Sequence, residues 1–89
     1  MTQRSERMRS TLSALFHPEA LQIDDDSARH AGHAGADAAG ETHYNVALTS
    51  EKFTGMSRVA RSRAVHEALA AEFADGLHAL SLKLKAPGE

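Results

Sequence analysis

Two stretches, THYNVALTS from Thr42 to Ser50 and LHALSLKL from Leu77 to Leu84, alternate apolar and polar side chains. In the first, Tyr44, Val46 and Leu48 share a face; in the second, His78, Leu80, Leu82 and Leu84 do. That period of two marks strands with one covered side. Between them, Ser57 to Ala74 consists of good helix formers and repeats Val65, Leu69 and Phe73 at i, i+4 and i+8, which predicts one continuous helix. Since the last strand follows a helical crossover, it can lie parallel to the earlier strand if the two are neighbours. Most other features of the chain have to accommodate that unit.

Upstream, Gln3 to Phe16 carries Met8, Leu12 and Leu15 at helical spacing, with Arg4, Arg7 and Arg9 on the remaining surface. Pro18 cannot continue this helix. Leu21 and Ile23 then alternate with Gln22 and Asp24, predicting a strand that ends in the acidic run Asp24, Asp25, Asp26. Residues 27–40 lack apolar periodicity and are rich in Ala and Gly, the composition of a long loop. Ser50 is placed to cap a short turn around Phe53, Gly55 separates that turn from the long helix, and Gly76 closes the helix. Ala86 to Glu89 reads as a loose tail. The expected order is α-β-β-α-α-β, a two-layer α+β sandwich with a three-stranded mixed sheet and helices on one face.

A chain of 89 residues supports one hydrophobic core, so residues 1–89 are expected to form a single domain. No apolar run reaches the length of a membrane span, and the N-terminal residues do not have the pattern of a secretory signal, so a cytoplasmic setting is expected. The formal charge of −2 gives no overall attraction to polyphosphate. There is no cysteine, hence no disulfide and no thiolate for a metal. His66 and Glu67 begin a zinc-protease motif, but Ala70 stands where its second histidine is required. The aspartate run lacks the spacing of a calcium loop, and phosphate-binding glycine patterns are absent.

The stretches FHPEALQIDDDS, ETHY, HALSLK and the residues Phe53, Gly55, Arg61, Arg63, Val65 and Leu69 occur in an order that resembles the BolA family from end to end. The resemblance implies a class II KH-like fold and a non-catalytic protein, not an enzyme. It implies two roles: partnership with a monothiol glutaredoxin around a shared [2Fe-2S] cluster, or DNA-binding regulation of transcription in stress response and morphology. Ser62 departs from the family pattern, which commonly has a histidine between the two arginines.

Histidines are six in number, and three of them lie in HAGHAGADAAGETHY. Without the resemblance, His78 reads as a half-covered histidine at a strand start, His30 and His33 as loop histidines in solvent, His43 as a residue of the less covered sheet face, and His17 as a helix-end residue. The resemblance implies that His78 is a metal ligand, joined by a loop histidine, either His33 or His30. Imidazole replaces thiolate at one iron of Rieske-type clusters, so glutaredoxin and its glutathione would supply the thiolates, and the isolated chain would carry no cofactor. For the DNA alternative, Lys52, Arg58, Arg61 and Arg63 supply cations around the turn at Gly55, although the G-x-x-G clamp of KH domains is incomplete. The free chain is expected to be a monomer, with an exposed sheet edge able to pair weakly.

Overall fold

The computed structural model describes residues 3–25 and 43–89; the loop expected over 27–40 lies outside the described residues. Helix α1 spans Gln3–Phe16 and buries Ser5, Met8, Leu12 and Phe16. Leu15, expected on that stripe, is exposed. The reason is angular: Met8, Leu12 and Phe16 step by four residues, and Leu15 falls about 100° away from Phe16. His17 ends the helix in the left-handed region (φ 44°), its N–H still donating to the Ser13 carbonyl (3.1 Å).

Strand β1 (Ala20–Asp25) pairs antiparallel with β2 (His43–Thr49), from Ala20 opposite Thr49 to Asp25 opposite Tyr44. Strand β3 (Ala79–Lys85) pairs parallel with β2, from His43 opposite Ala79 to Thr49 opposite Lys85. The sheet order is therefore β1-β2-β3, the mixed three-stranded arrangement expected. Tyr44, Val46 and Leu48 of the middle strand are buried with Met8, Leu12, Val65 and Leu69. No described helix is long and apolar enough to cross a membrane.

After β2, the buried Ser50 hydroxyl donates to the Phe16 carbonyl and accepts from the Lys52 N–H (3.1 Å), opening a single 3-10 turn, Glu51–Phe53. Phe53 is fully buried against the Phe16 ring, 5.2 Å between centroids. Gly55 takes φ 81°, and Ser57 caps helix α2 (Arg58–Ala68) by accepting from the Ala60 N–H (3.1 Å). The helix expected to run unbroken from Ser57 to Ala74 breaks at Leu69 (φ −103°, ψ 15°) and resumes as α3 (Ala70–Ala74). This stretch contains neither Gly nor Pro, so the break originates in tertiary contacts: Leu69 is in the core, and α3 directs Glu72 at α1.

Helix α3 ends with Gly76 at φ 115°, the Gly76 N–H donating to Phe73 O (3.4 Å) and the Leu77 N–H to Glu72 O (2.9 Å). These are the two bonds of a Schellman motif, which is accompanied by burial of the residue after the glycine. Leu77 is buried accordingly. The tail expected to be loose is held: Ala86 is buried, and Glu89 bonds to both the Ala86 N–H (3.0 Å) and Arg61.

Arg4 and Arg7, expected on the surface, converge on α3. Arg7 grips Glu72 with two bonds (Nε to Oε2 2.9 Å, Nη2 to Oε1 2.8 Å), and buried Arg4 donates to Glu72 (3.1 Å) and to the Asp75 carbonyl (2.7 Å). The hydrogen bond from Arg7 holds the Glu72 carboxyl below its usual range, with burial opposing and the charges of Arg7 and Arg4 assisting. A carboxylate depressed in the folded state stabilises the fold above its ordinary pKa and loses that contribution as pH falls through the folded value. Glu72→Gln should therefore lower stability at neutral pH by about 2 kcal/mol. In urea unfolding repeated at decreasing pH, the gap between variant and parent should close in acid.

Candidate functional site

The sheet has two chemically different ends. At one, β3 begins with Ala79 opposite His43, and His78 precedes it directly. His78 is exposed, His43 is half-buried, and their rings meet edge-on with centroids 6.1 Å apart. The strand alternation places His78 on the covered side with Leu80; the structure corrects this. The Schellman bonds spend residue 77 on core contact and leave residue 78 outside, so strand parity starts only at Ala79. A glycine followed by leucine after a helix is a readable signal for that outcome.

His43 lies on the face opposite Tyr44, as expected, but its proximity to His78 is not visible in either strand alone. Asp25, the last residue of β1, pairs with Tyr44, so the residues on either side of 26–42 both belong to this end of the sheet. His33 and His30 lie outside the described residues. Among the described residues no three His, Cys, Asp or Glu side chains are grouped to hold a metal ion. The described chain thus presents imidazole without a complete ligand set.

At the other end, Arg61 of α2 is only 7% exposed. Its Nε donates to Met56 O (3.1 Å), its Nη1 to Leu84 O (3.3 Å), and its guanidinium lies 5.9 Å from the centre of the Phe53 ring. Both terminal nitrogens also donate to Glu89, Nη2 at 2.7 Å from Oε2. The Arg61 fork holds the Glu89 carboxyl down at about 2, helped by the Ala86 N–H, and Glu89 raises the guanidinium in turn. Arg58 and Arg61 line one cavity of about 570 Å³ between α2 and the second half of β3, whereas Lys52 lines a separate one beside His17 and Glu19. Arg63 is two residues beyond Arg61, about 200° around the helix, and is exposed. The four cations expected to form one nucleic-acid surface are therefore divided, and Arg61 carries a structural load that its spacing to Arg63 did not reveal.

A family model described as BolA-like protein matches residues 12–89. A Sinorhizobium protein described as lying in the cobS 5' region is 45% identical over 86 residues, covering 96% of this chain and 92% of that protein. The chloroplastic protein BOLA1 of Arabidopsis thaliana is 46% identical over 88 residues, covering 97% of this chain and 55% of that protein. This chain thus spans nearly all of the first relative but about half of the second. The solved BolA domain of SufE1 from Arabidopsis thaliana superposes with a TM-score of 0.86 at 39% identity, covering 98% of this chain and 95% of that domain.

Because the two rings are neighbours, His43→Ala should shift the His78 ring resonances in long-range proton-nitrogen spectra. At a half-exposed strand end its stability cost should be about 1 kcal/mol at most. Unmoved His78 resonances would separate the two imidazoles.

Proposed function

The chain belongs to the BolA-like family, and on that premise we propose a non-catalytic protein that binds a monothiol glutaredoxin and shares a [2Fe-2S] cluster with it. The observation that carries this proposal is the exposed His78 at the sheet end, in a chain without cysteine. Such a cluster is held mainly by thiolates, with imidazole accepted at one iron. The donor set here fits half of that requirement: it offers imidazole and needs thiolate from a partner. His78 would supply one ligand, with a loop histidine, His33 or His30, as the second candidate from this chain. The glutaredoxin cysteine and its glutathione would supply the rest, and the isolated chain would hold no cluster.

In this role the chain's own task is positional. The Schellman turn fixes the backbone at Leu77 and the first pair of β3 fixes Ala79, so His78 is held between two anchored residues. A ligand restrained in advance loses less entropy when it binds. Cluster trafficking and iron or redox regulation both fit, in the cytoplasmic setting expected from the sequence. The alternative, DNA-binding regulation through Lys52, Arg58, Arg61 and Arg63, draws less support because these cations do not share one surface: Arg58 and Arg61 line one cavity, Lys52 lines another, and Arg63 lines neither.

Titration of the protein into an iron-loaded monothiol glutaredoxin should change the cluster's visible absorption and circular dichroism. His78→Ala should remove most of that change without preventing folding. An unaltered spectrum, at concentrations where the two proteins bind, would overturn the proposal.

A further inference from the structure

The end of β3 remote from His78 carries the Arg61–Glu89 pair inside the cavity between α2 and β3. We propose that this cavity is a docking cleft for an acidic polypeptide segment of a protein partner, and that Glu89 occupies it as an internal stand-in for the partner's carboxylate.

The two members of the pair are unequally held. The Arg61 side chain is 9% exposed, whereas that of Glu89 is 46% exposed. Arg61 is fixed by two backbone carbonyls and the Phe53 ring, whether or not a carboxylate faces it. Its fork is therefore built before any anion arrives, and planar forks of this kind select bidentate carboxylates. Glu89 is the exchangeable member.

The surroundings add charge that Glu89 alone does not use. Arg58, Lys83 and Lys85 line the same cavity, and among the described residues Glu89 is the one acid whose carboxylate bonds to any of the four cations. This concentration of cations stands on a chain whose formal charge is −2. Half-buried Leu82 and Leu84 lie on the covered face of β3, and exposed Lys83 and Lys85 on the opposite face. The cleft thus offers cations and apolar contacts in alternation, along an edge strand that pairs with β2 alone among the described strands. An extended segment added to that edge sets its acidic residues beside Lys83 and Lys85 on one face and its apolar residues beside Leu82 and Leu84 on the other, where one further acid takes the place of Glu89 at Arg61. Six residue steps separate Ala79 from Lys85, about 20 Å along the strand, so the cleft and His78 can be engaged independently.

The test uses the full chain and a fluorescein-labelled peptide of alternating Glu and Leu in which the last Leu is replaced by Glu, followed by fluorescence anisotropy at low salt. Duplex DNA carrying the same label is measured in parallel. Glu89→Gln, which removes the competing negative charge while Arg61 keeps its other partners, should tighten peptide binding about tenfold, as expected when a competing occupant is weakened. Lys83→Glu together with Lys85→Glu alters exposed positions and leaves the Arg61–Glu89 pair in place; it should weaken peptide binding at least as much. Peptide affinity indifferent to both changes would overturn the proposal. So would a duplex whose affinity rises with Glu89→Gln as much as the peptide's, which would mark a general polyanion surface.

Discussion

Everything in this molecule is referred to the middle strand. Strand β2 is hydrogen-bonded to β1 on one edge and β3 on the other, and it buries Tyr44, Val46 and Leu48 on one face to within 2% exposure. A slip of one residue in either pairing would turn those three side chains to solvent, so the apolar face enforces the register. With the register set, His43 must lie beside Ala79 and Thr49 beside Lys85. The two chemically different ends of the sheet follow from packing in the middle.

Those ends differ in what they can bind. The His43–His78 end presents imidazoles, nitrogen ligands with no thiolate beside them. The Arg61 end presents fixed positive charge with one exchangeable carboxylate. A parallel strand pair, joined by a helical crossover, puts the beginning of β3 and the end of β3 on opposite sides of the molecule, so neither chemistry interferes with the other.

The crossover is also where tertiary forces override local preference. Residues 57–74 have uninterrupted helix propensity, yet the chain breaks at Leu69, where core burial and the pull of Arg4 and Arg7 on Glu72 compete with a straight axis. The break sets the geometry of the Schellman turn, and the turn decides that Leu77 goes inward and His78 outward. A metal-ligand candidate is thereby presented to solvent by a leucine and a glycine that have no part in its chemistry.

The sequence by itself determined the element order, the mixed sheet and the stripes Met8–Leu12 and Tyr44–Val46–Leu48, because these rest on short periods that any window of the chain displays. Tertiary structure alone decided that Phe16 rather than Leu15 completes the α1 stripe, and that His78 is outside the sheet's covered face. It also decided that His43 stands next to it. Arg61 and Arg63 look alike in sequence, yet one is locked over Phe53 and the other faces solvent. Glu89 was the least expected participant, since its partner lies 28 residues away and the Arg7–Glu72 pair spans 65. Pairings across such separations leave no periodic trace; they exist because the fold closes those distances, and Coulomb attraction then selects among the charges brought together.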